Sequence, residues 1–178
     1  MKKFLLASLI AAVAAPSFAS DVFIGGQIAR SASDYKVGWI SGVPDDSLMT
    51  QFRFGSYFGQ QHRITGTLEW SGADTDEFGM IAHYDYMIPL NAQWSANVGA
   101  HLGMRWIEMY DDYYNRIDYD FSALQYGIQF GAVYHMAPQL DFGINMRLSS
   151  YDGSQTVDFV KLEKENDATF GLSIDYRF

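Results

Sequence analysis

The chain lacks cysteine, has only four prolines, and is short of basic residues, with 12 lysines and arginines against 21 acidic residues. No cysteine means no disulfide framework and no thiolate metal site, so stability must come from a large core or a hydrogen-bonded sheet. A net charge of −9 argues against nucleic acid as a partner, because binding phosphates needs a basic face. Long apolar runs are also missing. The longest, Phe4 to Ala15, is 12 residues, where a spanning helix needs roughly 20. That run follows Met1-Lys2-Lys3 and precedes Pro16-Ser17-Phe18-Ala19, the order of a secretory signal peptide over 1–19 with cleavage after Ala19. The expected mature chain, 20–178, is one domain. Without Lys2 and Lys3 it holds 10 basic and 21 acidic residues, a charge of −11.

What is abundant is aromatic residues, 16% of the chain, and glycine, 16 residues, a composition that favours strands and tight turns. Apolar residues recur at every second position. From Trp94 the even set is Ala96, Val98, Ala100, Leu102, Met104 and Trp106, while the odd set is Ser95, Asn97, Gly99, His101, Gly103 and Arg105. A strand places each set on one face, whereas a helix would scatter both. The pattern returns from Val22 to Ile28, Phe52 to Phe58, Ile64 to Trp70, Phe78 to Ile88, Leu124 to Tyr134, Leu140 to Leu148 and Phe170 to Phe178. Eight such segments match the length of tilted membrane strands. Short connections at 59–62, 89–93 and 136–139 alternate with longer ones at about 31–47, 71–77, 108–120 and 150–167. The expected fold is therefore all-β: a transmembrane, eight-stranded, antiparallel up-and-down β-barrel with both termini on one side.

The composition of the two faces decides which one looks outward. One carries large apolar side chains and no charge. The other carries nine glycines together with Arg53, Arg63, Arg105, Arg147, Arg177, Glu69, Asp85, Asp141 and Asp175. An eight-stranded barrel has an interior just wide enough for side chains, and the bulky face would overfill it. The bulky face therefore points to lipid, where a closed sheet also satisfies every backbone N–H and C=O. Aromatic girdles are expected at the two interfaces: Trp70, Phe78, Trp106 and Phe170 at one, and Phe58, Trp94, Tyr134, Tyr176 and Phe178 at the other.

The closing strand Phe170-Gly-Leu-Ser-Ile-Asp-Tyr-Arg-Phe178 resembles the C-terminal signal of outer-membrane barrels. The segment Tyr84 to Trp94, running into Val98-Gly-Ala-His-Leu-Gly103, is similar to the central turn of OmpA/OmpX-type barrels, and Gln125 to Gly131 to their sixth strand. The resemblance covers the mature chain and specifies the family, not one member. It implies the outer membrane of a Gram-negative bacterium, contact with lipid and lipopolysaccharide, and insertion by the barrel-assembly machinery reading the strand that ends at Phe178. Family roles range over structural support, adhesion, host-surface binding and lipid A modification.

In the expected lumen, Arg forks suit carboxylates and isolated charges are costly. Glu69 should pair with Arg105 near the outer end and Arg177 with Asp141 near the periplasmic end, within a network that includes Arg53, Asp85, Arg147 and Asp175. All mature lysines (Lys36, Lys161, Lys164) are expected in loops. His83 and Asp85 share a face but stand some 7 Å apart along their strand, and no metal motif, cofactor motif or nucleophile arrangement accompanies them. The expected role is therefore non-catalytic: structural support or surface interaction, through adhesion or envelope integrity. A lipid A-modifying enzyme and a narrow channel are the alternatives.

Sixteen of the 21 acidic residues fall in the four longer connections. There, Glu108 to Asp120 interleaves Tyr with Asp, as binding loops often do, although solvated, variable surface is the bland reading. A host-surface or envelope protein is the partner this implies. Asp111, Asp112, Asp118 and Asp120 offer oxygen ligands for a divalent cation, without the EF-hand spacing. The apolar Tyr35, Val37, Trp39 and Ile40 suggest that the first connection is a protruding hairpin.

Overall fold

The computed structural model describes residues 21–37, 39–59, 61–71, 75–111, 117–157 and 160–178. The expected signal peptide, 1–19, lies outside them. The strands are β1 (Val22–Val37), β2 (Ile40–Phe58), β3 (His62–Ser71), β4 (Thr75–Pro89), β5 (Trp94–Asp111), β6 (Ile117–Ala137), β7 (Leu140–Asp152), β8 (Ser154–Val157) and β9 (Val160–Arg177). Strands β1 to β7 and β9 pair in sequence, and β9 closes on β1, giving an eight-stranded antiparallel barrel with β8 as a short arm on β9. The backbone N–H of Phe178 extends the closure by donating to the Val22 carbonyl at 2.9 Å.

The ladder fixes the shear. From Val22, one row of partners runs through Ser56, Ile64, Tyr84, Ala100, Ile128, Leu148 and Ala168, and returns to β1 at Ala32, ten residues further on. An offset of about 33 Å along the strands against about 38 Å across them tilts the strands by roughly 40°. Each cross-strand row therefore climbs about 3 Å per strand from β2 round towards β9.

Alternation places the faces as the residue types require. Ile28, Leu102, Ile128, Phe130, Phe170 and Ile174 face outward and are exposed, whereas Arg63, Glu69, Asp85 and Arg105 are buried inside. An exterior of exposed apolar side chains around a charged, buried interior is stable in lipid and not in water. The outer aromatic ring is continuous where strands adjoin, with Trp70–Phe78 and Phe78–Trp106 ring centroids each 5.6 Å apart. At the periplasmic level, Trp94 and Tyr134 lie tilted with ring centroids 4.9 Å apart, and Tyr176 meets Phe178 edge-on at 5.1 Å. Beyond the outer ring the outward positions turn polar: Arg30, Asp76, Glu108, Ser122, Ser150 and Asn166.

The short turns fall where the sequence places them. Gly59 takes φ +58°, a left-handed conformation that residues with a Cβ rarely adopt. In the β4–β5 turn the Asn91 side chain accepts from the backbone N–H groups of Gln93 and Trp94 at 2.8 and 2.9 Å. Two of the longer connections, 108–120 and 150–167, differ from the loops expected, while 31–47 forms the hairpin expected from its apolar residues. Most of 31–47 and 108–120 and much of 150–167 are strand, because β1 pairs with β2 out to Val37↔Ile40 and β5 with β6 out to Asp111↔Ile117. The hairpin suggested by Tyr35 and Trp39 is therefore present, and the barrel wall continues well past the membrane.

Candidate functional site

The lumen is filled by three layers of side chains. The outer layer is an ion cluster. Arg105 reaches Glu69 with one guanidinium nitrogen and Glu77 with the other, the latter at 2.5 Å. Arg147 grips Glu69 from β7 with two nitrogens, at 2.5 and 3.1 Å. Glu77 also accepts from the Lys164 ammonium at 2.7 Å and from the Tyr35 hydroxyl at 2.5 Å. The Tyr151 ring lies under both cations, 5.8 Å from Arg105 and 5.0 Å from Lys164, and its hydroxyl donates to Asp167 at 2.5 Å. Ile107, Phe121 and Ala123 pack beside it.

The middle layer is a relay of amides. Arg63 binds Asp85 through Nε and a terminal nitrogen at 3.1 and 2.8 Å. The other Asp85 oxygen accepts from Asn97 at 3.1 Å and Gln129 at 2.6 Å. Gln129 in turn takes the Nδ1 of His83 at 2.6 Å, so an amide separates His83 from Asp85. Arg53 donates to Gln27 at 2.8 Å and lies 3.4 Å from Asp175. A polar void of about 30 Å³ lies here, lined by Gln51, Thr65, His83 and Arg147 among others. That is room for one or two waters.

The periplasmic layer is apolar. Phe23, Tyr57, Met87 and Val133 form a buried cluster, with the Phe23 and Tyr57 rings 5.5 Å apart. Gly55 makes this possible, since a Cβ there would sit 2.7 Å from the Phe23 ring. Around the plug, Asp141 accepts from Tyr57 at 3.4 Å and Arg177 at 3.1 Å, and lies 2.7 Å from the Nδ1 of His135.

The structure thus brings Glu69 to Arg105 and Asp141 to Arg177, and seats Arg53, Asp85, Arg147 and Asp175 in the same buried column. Asp112, and the side chains of Asp111, Asp118 and Asp120, lie outside the described residues. Among the described residues, no group of three or more His, Cys, Asp or Glu is arranged to hold a metal ion.

One expectation is overturned. Lys164 is not a loop cation; it is 2% exposed inside the barrel, as are Glu77 and Asp167 at 5% and 4%. Lys164 was hidden by phase. Asn166 pairs with Asp34, yet Lys164 pairs with Tyr35, so Glu165 is an unmatched residue. This β-bulge reverses the alternation and turns an even-numbered position inward. With it, the described lumen holds six cations (Arg53, Arg63, Arg105, Arg147, Lys164, Arg177) and six carboxylates (Glu69, Glu77, Asp85, Asp141, Asp167, Asp175). Among the described residues the cations and carboxylates of the column are equal in number. The apolar plug was also missed: Phe23, Met87 and Val133 stand on the inward face that the glycines and charges dominate.

Groups above the outer ring feel this balance. Burial alone would raise the Glu77 carboxyl, but Lys164 and Arg105 outweigh it and hold the group at about 2.

Solved structures with the same fold include neisserial surface protein A, at 13% identity over 87% of this chain and 97% of that one, with a TM-score of 0.65. Pseudomonas aeruginosa outer membrane protein H, in micelles, aligns at 18% identity over 89% and 99%, with a TM-score of 0.58. The outer membrane protein OprG of the same organism aligns at 12% over 90% and 96%, with a TM-score of 0.54. These likenesses show the fold alone, and no curated protein matches the chain. The model of the outer membrane protein beta-barrel domain matches residues 4–178. The chain belongs to that family, and its place is the outer membrane of a Gram-negative bacterium.

Proposed function

We propose that this barrel is a non-catalytic envelope component, which supports the membrane and presents a surface outside it. The observation that carries this reading is the pair of stoppers in the lumen. An ion cluster closes the outer mouth and an apolar plug the inner one, while β1, β2, β5, β6 and β9 run on past the outer aromatic ring. A lumen filled in this way passes no solute. The protruding sheet, acidic and rich in tyrosine, is the surface offered to a host or envelope protein. The signal peptide is cleaved near Ala19, and the assembly machinery reads the strand ending at Phe178.

The test has three arms. Refolded mature chain in planar bilayers gives no unitary conductance. Deletion of the gene leaves the lipid A mass spectrum unchanged and alters adhesion or detergent sensitivity. Steady current steps, or a lost lipid A modification, would replace this reading with a channel or an enzyme.

A further inference from the structure

At the periplasmic rim, inside the barrel, three strands bring together a serine, a histidine and an aspartate. Ser95 follows Trp94 at the start of β5, His135 follows Tyr134 near the end of β6, and Asp141 precedes Phe142 on β7. His135 stands opposite Asp141 in the ladder, and Ser95 stands opposite Val133, two residues short of His135. A cross-strand diagonal of this kind is within reach of an imidazole. The Ser95 Oγ lies 3.0 Å from the His135 Nε2, and the His135 Nδ1 lies 2.7 Å from an Asp141 oxygen.

With the imidazole neutral, these bonds run in one sense only. A carboxylate accepts and never donates, so Nδ1 carries the ring proton and donates it to Asp141, and Nε2 accepts from the Ser95 hydroxyl. Asp141 is itself fixed. It is 1% exposed, and Arg177 and the Tyr57 hydroxyl donate to it at 3.1 and 3.4 Å. The His135 side chain is 23% exposed, so solvent reaches the centre from the periplasmic side. A hydroxyl bonded to a base that a third group orients is the arrangement that makes a serine nucleophilic.

The neighbouring surface is apolar. Val133, the cross-strand partner of Ser95, belongs with Met87 to the buried plug. An apolar acyl group on Ser95 has that surface to lie against, and an ester kept from water hydrolyses slowly. We propose that Ser95 is a covalent modification site, which takes one apolar acyl group from an activated ester on the periplasmic side. The Ser95 Oγ bonds to the carbonyl carbon of the ester, and its proton passes to the His135 Nε2. The bond from that carbon to the alcohol oxygen breaks, and His135 returns the proton to the departing alcohol. The barrel is acylated once and turns nothing over. The site goes beyond the supporting role above, and lies at the opposite end from the surface on which that role rests.

The test offers p-nitrophenyl butyrate to the refolded mature barrel and maps butyryl groups by peptide mass. Ser95 should be labelled at least about a hundredfold faster than the exposed Ser122. A burst of one nitrophenolate per barrel should accompany it, with no continued turnover. His135→Gln keeps a polar side chain but removes the base, and should slow Ser95 labelling about a hundredfold. Ser95→Ala should abolish the burst, with the folding of both variants checked by heat-modifiable gel mobility. The charged and titratable groups around His135 are Asp141 on β7, Arg177 on β9 and Tyr57 on β2. Wild-type labelling should climb with pH and level off once His135 is neutral, a plateau that His135→Gln should lack. Labelling of Ser95 no faster than Ser122 in wild type, or unchanged in His135→Gln, overturns the site and leaves the supporting role standing. Release of many nitrophenolates per barrel overturns single acylation, and the non-catalytic reading with it.

Discussion

The Lys164 ammonium lies 2.7 Å from the Glu77 carboxylate, although 87 positions separate them in the chain. The contact spans the mouth of the barrel, from β9 to β4, and Arg105 completes it from β5. A hydrogen-bonded ladder would close without this pair. Its consequence is that the outer mouth is bolted by charge, while the inner mouth is corked by rings.

Arg105 is the centre of the bolt, being 0% exposed and bound to Glu69, Glu77 and Gln125. Arg105→Ala should cost about 3–5 kcal/mol in urea unfolding from micelles, because two buried carboxylates lose a partner. Lys161→Ala, half exposed and paired with Glu163, is the control and should cost less than about 1 kcal/mol. Equal midpoints for the two variants would count against a stabilising lumen network.

Glu77 makes the bolt sensitive to acid. A carboxyl that titrates near its ordinary value of 4.5 when unfolded and at about 2 when folded contributes stability above pH 4.5. That contribution fades as pH falls from 4.5 through 2, and amounts to no more than about 3 kcal/mol. Melting curves in detergent should be flat from pH 7 to 5 and drop below 4.5, and Glu77→Gln should flatten part of that drop. An identical acid profile for the variant would locate the transition elsewhere.

Sidedness can be tested on the outer wall. Ala100 faces lipid midway between Trp94 and Trp106 on β5, whereas Leu48 pairs with Arg30 at the outer interface. Ala100→Arg should cost about 2–4 kcal/mol and Leu48→Arg about 0–1, as depth in the bilayer dictates. Equal small costs would mean that the wall does not face hydrocarbon.

Gly55 is required by contact rather than by a turn. A Cβ there would lie 2.2 Å from the Ile64 carbonyl oxygen and 2.7 Å from the Phe23 ring. Gly55→Leu should sharply reduce refolding yield, read by heat-modifiable mobility, while Gly59→Ala in the adjoining turn, with open space around it, should refold at about 1 kcal/mol lower stability. Normal refolding of Gly55→Leu would show that the plug can repack.

Much of the barrel was legible because period-two patterning is local: Trp94 to Trp106 declares its two faces with no knowledge of any neighbour. The inward charges were legible for the same reason, since parity alone places Glu69, Asp85 and Arg105 inside. Strand ends were not. The apolar Tyr35, Val37, Trp39 and Ile40 did signal the hairpin of β1 and β2, but 108–120 is largely polar, and polar residues form strand as readily as loop when a partner strand lies alongside. Lys164 was illegible because a single unmatched residue, Glu165, inverts the parity, and only pairing with β1 shows where the count slips.

The alternation of residue types determined by itself that this chain closes into a sheet with grease outside and charge within, because each side chain's face depends only on its place in its own strand. The shear of ten, the bulge at Glu165 and the meeting of Lys164 with Glu77 were decided by the tertiary structure. Each depends on register, and register is a relation between strands that no single strand encodes.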